Sequence, residues 1–519
     1  MVKVSHAVIL AAGAATRFVP LSLEQPKGLF SVNGERLIDR QIEQLLEAGI
    51  KDITVVLGYK KEMFFYLREK YGVRLIDNPQ YNTKNNIQSL LCARDYLEDA
   101  YICSSDDYFS SNPFRSEEPF SFYAGESVDY ASKEMFVKLA PDGRIIRMEK
   151  GLQSGQILLG HSFWTAEFAR KFNLIALDDK EGKYDQSYWE WLVRDYLSVL
   201  PPLHFKEYPK GVIYEFDYFE ELRRFDSDYV AHAKSHIIDN IKSVFKCQDS
   251  DVTDFRKISE GLTNTSFIFR IDGKDYIYRH PGDGTEKIID RHHERTCLEK
   301  ARSLGIDPTY IYMDVDEGWK ISSYVPAFRE PDYSSEEDTR RVLGVLRRLH
   351  ASPVKVDWGL RPWEDSLEIE KLLIEKAPDC FKPYEALKER IGEMYRATIG
   401  DGVQKCFCHA DTYKHNWMFK PDGDTILIDW EYAGYSDPGI DVGYYIVDAM
   451  YDRARARSVI RDYLREDWTP AQEKHYLVYT ALIAWYWFVW ALYRESCGAS
   501  MGESLGNWLE MAKYYAWHA

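Results

Sequence analysis

Residues Cys408–Asp441 read CHADTYKHNWMFKPDGDTILIDWEYAGYSDPGID, and they decide what the second half of this chain must be. His409, Asp411 and Asn416 stand in the spacing H-x-D-x-x-x-x-N, and Asp429 follows Asn416 by thirteen residues. Between those last two lies a hairpin signal: WMF, the turn KPDGD, then the apolar run TILI. Such a hairpin brings Asn416 and Asp429 to the same end of two paired strands, within reach of one ion. One carboxylate set apart from an Asn/Asp pair is equipment for phosphoryl transfer. Asp411 is placed to accept the proton of an attacking hydroxyl, and Asn416 and Asp429 to hold Mg²⁺ on nucleotide phosphates. The plainer reading, a polar turn between two buried strands, needs four residues to fall into place by accident.

The same stretch resembles the catalytic core of choline kinases and their relatives, the aminoglycoside phosphotransferases, which share the protein-kinase fold. The segment IDWEYAG, Ile428–Gly434, is similar to choline and ethanolamine kinases in particular, and the D-F-G of protein kinases is absent.

With 519 residues the chain exceeds one ordinary core, so at least two domains are expected. A hydrophobic content of 45% with 29% charged residues describes a globular protein. The net charge of −17 argues against nucleic acid as a partner, because phosphate backbones are bound by basic surfaces. Eight cysteines without regular spacing suggest reduced thiols and a cytoplasmic location. Cys406 and Cys408 alternate with Phe407 as strand residues do, and no second pair accompanies them to make a zinc site. Tyr476–Tyr493 is 18 residues without a charge, long enough for a membrane span. Its aromatic residues run through the middle instead of gathering at two interfaces, so a buried helix is expected and no membrane span.

The first half opens on a buried strand, Ala7–Gly13, that enters a turn of small residues. Such a turn lets backbone N–H groups approach a phosphate, which makes Leu10, Ala11, Ala12 and Gly13 candidates for nucleotide binding. Arg17 and Lys27 follow, placed to meet the charge of a triphosphate and of the departing pyrophosphate. The whole pattern L-A-A-G-x-x-x-R-F-x-P-L…P-K-G-L resembles the signature of nucleotidyltransferases that activate sugar phosphates and phosphocholine, which implies a Rossmann-like α/β fold. Leu37–Ala48 reads as an amphipathic helix and Ile53–Leu57 as a strand. Asn85, Asn86 and Ser89 fall where relatives contact base and ribose, and equally suit a turn and helix cap. Tyr101–Ser104 is a strand followed by Asp106, and Gly211–Asp217 a strand ending in acid, with Glu215 on the same face as Asp217. The resemblance makes Asp106 and Asp217 the Mg²⁺ carboxylates. Glu149-Lys150-Gly151 resembles the family's E-K-P, whose lysine meets a substrate phosphate. Tyr188, Trp189 and Glu190 resemble a phosphocholine-binding segment and suit a cation held by rings and an acid, although an aromatic core helix explains them nearly as well.

The domain boundary is placed between 228 and 229, with no Gly/Ser-rich linker. Beyond it, Ile258–Ile271 resembles the nucleotide-covering loop of choline kinases, with Gly261, Thr263 and Asn264 against the nucleotide. Arg279 stands where a protein kinase has its strand lysine, and Glu294 is its expected partner. His350 is read as structural. Trp485, Trp487 and Trp490 fall in the region that gives choline kinases their aromatic box, where a quaternary ammonium is held by ring quadrupoles. A helical stripe of aromatics is as often core.

The reading is therefore an α/β nucleotidyltransferase domain, 1–228, followed by a protein-kinase-like α+β domain, 229–519. Its expected substrates are choline and ATP in the second domain, and phosphocholine and CTP in the first, with Mg²⁺ in both. The alternatives are an ethanolamine or aminoethylphosphonate version, a sugar-phosphate nucleotidyltransferase fused to a small-molecule kinase, or a binding module without turnover.

Overall fold

The computed structural model describes residues 1–151, 154–226, 235–258, 264–281, 290–376, 380–498 and 501–518. The chain divides into two compact units, one comprising Met1–Ser259 with Ser266–Asp275 and the other centred on Tyr276–Ala519.

The first unit is built on a nine-stranded sheet. Its strands are β1 (His6–Ala11), β2 (Ile53–Leu57), β3 (Arg74–Asp77), β4 (Ala100–Ser104), β5 (Phe122–Val128), β6 (Met135–Leu139), β7 (Ile145–Lys150), β8 (Gly155–Trp164) and β9 (His204–Glu207). The order β7-β6-β8-β4-β1-β2-β3 places β1 at the centre, parallel to β2 and β4, and β5 pairs with both β8 and β9. β1 reads AVILA because both its faces are covered. Ala7 and Ile9 join a core with Ile38, Ile42 and Leu45 of the helix Leu37–Glu47, while Val8 faces Leu90, Phe168 and Leu192 on the other side. Each large apolar side chain so buried contributes roughly 1.5–3 kcal/mol, so the central strand is fixed firmly.

That rigidity is delivered to one edge. β1 and β4 run parallel with Leu10 opposite Ser104, so the small-residue turn after β1 and the acids after β4 leave the sheet side by side. Gly28 packs so closely on Ser105 that a Cβ there would lie 2.9 Å from the Ser105 hydroxyl oxygen, and this contact brings Lys27 to Asp106. The expected strand at Gly211–Asp217 is shorter, Ile213–Glu215, and lies outside the nine-stranded sheet. It pairs antiparallel with Asp107–Phe109, setting Glu215 opposite Asp107.

In the second unit the strand Lys274–Pro281 pairs antiparallel with Lys320–Ser323, Arg279 lying opposite Lys320, and Tyr310–Met313 completes that edge. The hairpin read from the sequence forms, with Trp417 opposite Leu427 and Phe419 opposite Thr425. The 27-residue helix Pro470–Ser496 is long and apolar enough to cross a membrane, and 83% of its most apolar stretch is buried within the structure. Helices Pro362–Lys376, Glu385–Arg396, Gly439–Asp448 and Glu503–His518 surround it. Its continuous apolar run covers all sides because it is the axis of a bundle.

Candidate active sites

The C-terminal edge of the first unit's sheet opens into a cavity of about 770 Å³. Its wall includes Leu10, Ala11, Ala12 and Gly13 from the turn, together with Arg17, Lys27, Asn86, Ser89, Asp106, Lys150, Tyr188, Glu190 and Asp217. Among the described residues, the Lys27 ammonium donates to Asp106 Oδ2 at 2.6 Å, and the exposed Arg17 lies 3.3 Å from Asp217. Burial alone would lower the Lys27 ammonium, but the carboxylates of Asp106, Glu215 and Asp217 outweigh it and raise its pKa. The acids themselves are crowded. Burial, then the Asp106 charge, pushes Glu215 up to about 8, and the same two causes raise Asp107 well above the usual carboxylate range. Asp107 Oδ2 is buried without a hydrogen-bond partner. Several oxygens converge on too few cations, which is the donor set for a hard divalent ion such as Mg²⁺.

The opposite end of the cavity is aromatic. Tyr188, Tyr123 and Trp191 line it with Glu190, and Lys150 Nζ lies 5.4 Å from the centre of the Trp191 ring. Tyr123 donates to Glu190 Oε1 at 2.9 Å, while burial pushes Glu190 up to about 7. Trp189 is elsewhere. It is buried in the core, stacked on Tyr123 at 5.2 Å and edge-on to Trp164, so the ring that reaches the cavity is its second neighbour along the helix, Trp191. Asn85 caps the helix Asn86–Cys92, accepting from Asn86 N, and the Asn86 side chain accepts from Trp189 N at 2.8 Å. Ser89 accepts from Asn78 at 3.0 Å. These polar residues cap and brace, as one reading expected, and they also line the cavity.

In the second unit Asp411 and Asn416 meet directly. The Asn416 amide donates to Asp411 Oδ2 and to the Asp411 carbonyl, both at 2.9 Å. Asn416 O accepts from Ile428 N at 2.9 Å, which fixes Asp429 one residue further at the same end of the hairpin. Burial, followed by the Asp429 charge, pushes Asp411 up to about 8 against the opposing Asn416 hydrogen bond. Two non-glycine residues are left-handed here, Ala410 at φ 67° and Asp429 at φ 69°. Strain of this kind costs about 1–3 kcal/mol per residue and persists where surroundings over-determine the backbone. Asp441 supplies part of that constraint, accepting from His409 N at 2.9 Å and Ala410 N at 2.6 Å.

Arg279 anchors a buried charge network. It donates to Glu294 at 2.5 Å and to Asp429 at 3.1 Å, while Arg291 donates to Glu294 at 3.0 Å and Lys320 donates to Glu294 at 3.3 Å. Burial would raise Glu294, but the three cations outweigh it and hold its carboxyl down at about 2. Carboxylate oxygens of Glu294, Asp429 and Glu431 come within 4.8 Å of one another, a second cluster able to hold a cation. Lys320 was not found from sequence; its only signal was a register opposite Arg279 that depends on strand pairing. Gly261 and Thr263 lie outside the described residues, and Asn264 is described only as the first residue of the strand Asn264–Ile271.

The three tryptophans separate. Trp485 points into the core against Phe381 and Phe488. Trp487 stacks on Tyr444 at 5.2 Å, meets Tyr432 edge-on at 5.3 Å and touches Trp490 at 5.3 Å. Tyr432, Tyr444 and Tyr486 all lie close enough to Asp411 for its charge to raise their hydroxyl pKa, after the larger effect of burial. Tyr432, Tyr444 and Tyr486 thus pack around Trp487 within reach of the Asp411 charge, and the three tyrosines were missed because they sit on three separate segments.

Residues 7–109 match the MobA-like NTP transferase domain, and residues 254–476 match the phosphotransferase enzyme family. The chain is 36% identical over 223 residues to the choline-phosphate cytidylyltransferase of Streptococcus pneumoniae, covering 42% of this chain and 96% of that protein. By its first unit, the chain belongs to the cytidylyltransferases. A 2-aminoethylphosphonate cytidylyltransferase from Lancefieldella rimae is 35% identical, over 44% of this chain and 94% of its own length. Among solved structures, the choline kinase LicA from Streptococcus pneumoniae aligns with TM-score 0.47 and 25% identity, over 54% of this chain and 99% of that one. The protein is accordingly a nucleotidyltransferase joined to a kinase-like phosphotransferase on one chain.

Proposed function

We propose that the second unit transfers the γ-phosphoryl group of ATP to choline and that the first transfers CMP from CTP to the phosphocholine formed. The observation that carries this is the pairing of Asp411 with an aromatic wall. A quaternary ammonium offers no N–H to hydrogen-bond, so rings must hold it, and its hydroxyl two carbons away then falls near the carboxylate. Asp411 takes the hydroxyl proton as the oxygen attacks, and Asn416 keeps the carboxylate turned toward it. Arg279 and Lys320, steadied by Glu294, meet charge on the nucleotide phosphates. Asn416 and Asp429, with Glu431 beside Asp429, are the residues to hold Mg²⁺, which supplies charge neutralisation on the phosphates when bound.

In the first unit a phosphate oxygen of phosphocholine attacks the α-phosphorus of CTP, and pyrophosphate leaves. Lys27 and Arg17 meet the charge on the triphosphate and the leaving group. Asp106 and Asp217, with Glu215 between their charges, are the Mg²⁺ ligands. Lys150 lies near the rings and is placed for the substrate phosphate, while Trp191, Tyr188 and Glu190 receive the trimethylammonium group.

The near-equal likeness to an aminoethylphosphonate enzyme favours a second reading for the first unit alone. A phosphonate already carries its phosphorus and needs no kinase, so the attached phosphotransferase favours a hydroxylated amine. Incubation of the full chain with radiolabelled choline, ATP, CTP and Mg²⁺ should yield labelled CDP-choline. Label arriving only from ethanolamine or aminoethylphosphonate would replace the proposal with the alternative.

A further inference from the structure

A cluster around the strand Cys406–Cys408 of the second unit is not used by this chemistry. In the strand Cys406–Cys408 the two cysteines fall on one face, as residues two apart do, and their sulfurs are 3.6 Å apart. Pairing with Gly434–Ser436 fixes that strand. The end of the helix Glu336–His350 brings a third donor, so that one ring nitrogen of His350 and both sulfurs lie within 4.8 Å of one another. A tetrahedral zinc ion with Zn–S of ~2.3 Å sets two thiolates ~3.8 Å apart, close to the separation found.

The histidine is already oriented as a metal ligand is. His350 Nε2 is held by the fully buried Asp441 at 2.8 Å, and Nδ1 faces the Tyr463 hydroxyl at 2.6 Å. A carboxylate on one imidazole nitrogen fixes the ring and raises the basicity of the other. Displacing the neutral Tyr463 hydroxyl from Nδ1 costs less than displacing a carboxylate from Nε2, which favours Nδ1 as the donor.

We infer that Cys406, Cys408 and His350 form a binding site for a thiophilic divalent cation of the zinc class, separate from both Mg²⁺ sites. Two thiols lose their protons to solvent as the ion enters; no oxidation is involved. Asp441 links the site to function, because the same carboxylate accepts from the backbone of His409 and Ala410 just before Asp411. A metal-held imidazole would steady that carboxylate and with it the catalytic turn. The two cysteines alone gave no zinc pattern in the sequence, since the third ligand comes from a distant helix end.

The test is titration of the reduced full-length protein with cobalt(II), with Mg²⁺ saturating so that carboxylate sites are filled. The expected result is one equivalent with a sulfur-to-cobalt charge-transfer band and tetrahedral ligand-field absorption, both removed by one equivalent of zinc. Cys406→Ser should weaken binding at least tenfold and diminish the band while circular dichroism stays unchanged; Cys497→Ser should bind as the parent does. His350→Gln should keep charge transfer but lose affinity. Absence of a sulfur band in the parent protein, or an equal band in Cys406→Ser, overturns the assignment.

Discussion

The two candidate sites carry opposite arrangements of charge. In the first unit the anions are in excess, Asp106, Asp107, Glu215 and Asp217 around Lys27, and Arg17 lies in solvent. In the second, Arg279, Arg291 and Lys320 converge on the buried Glu294, and Asp411 accepts from Asn416. The first site thus gathers acids around one largely buried lysine, and the second gathers cations around one buried acid. A buried charge network of the second kind is sensitive to losing one member, because the partner is left uncompensated. An exposed pair such as Arg17–Asp217 is worth at most about 1 kcal/mol to folding.

The largest expected effects test that contrast. Arg279→Ala should cost up to about 3–5 kcal/mol of stability in the second unit besides abolishing ADP formation, because the carboxylates of Glu294, Asp429 and Glu431 lose the cation they share. Arg17→Ala should leave the melting temperature unchanged and yet lower pyrophosphate release by 10²-fold or more. Thermal unfolding alongside both assays checks the pair; equal destabilisation by the two variants would remove the distinction. Next in size, Trp487→Ala should raise the choline KM by about 30-fold, from ~2 kcal/mol of ring–cation contact, with little change in the KM for ATP. Trp485→Ala, whose ring lies in the core, should destabilise without that selectivity.

A further expected effect is a pH dependence. Asp411, Glu215 and Glu431 each have a folded-state pKa raised to about 8 by burial and neighbouring carboxylates, Asp429 beside Asp411 and Glu431, Asp106 beside Glu215. The folded state therefore binds more protons than the unfolded one between the ordinary carboxylate range, near 4, and about 8. Their contribution is fully present below that range and is lost as pH rises through 8. Without Mg²⁺ the melting temperature should fall from pH 5 to pH 8.5, by roughly 2–4 °C for each kcal/mol lost, and Mg²⁺ should restore most of it. Asp411→Asn should flatten its part of this slope. A melting temperature independent of pH in the absence of metal would contradict the crowding of acids described here.

Local sequence carried much of this architecture. The hairpin 417–427, the central strand His6–Ala11 and the helix Leu37–Glu47 follow from turn chemistry and apolar periodicity over a few residues. Asp411, Asn416, Lys27 and Asp106 were singled out because motifs with fixed spacing name them, but the sequence set Asp411 apart from Asn416, and the contacts Asn416–Asp411 and Lys27–Asp106 emerge only in the fold. What escaped depends on pairing between distant segments. Lys320 meets Glu294 only through strand register, Trp191 replaces Trp189 at the cavity because helix phase turns one ring inward, and Tyr432, Tyr444 and Tyr486 converge from three elements. Asp437 pairs with His475 at 3.0 Å, and Asp441 accepts from Ala410 N, just before Asp411, contacts that likewise join distant segments.

The central claim is that one chain holds two independent sites in sequence. It is tested most directly by amide replacement of one carboxylate in each, with radiolabelled choline followed through both products. Asp411→Asn should form no phosphocholine, a loss of about 10²–10⁴-fold, yet convert supplied phosphocholine to CDP-choline at the parent rate. Asp106→Asn should accumulate phosphocholine and form no CDP-choline, and mixing the two variants should restore the whole route. A folded Asp411→Asn protein that fails in both steps would contradict the account.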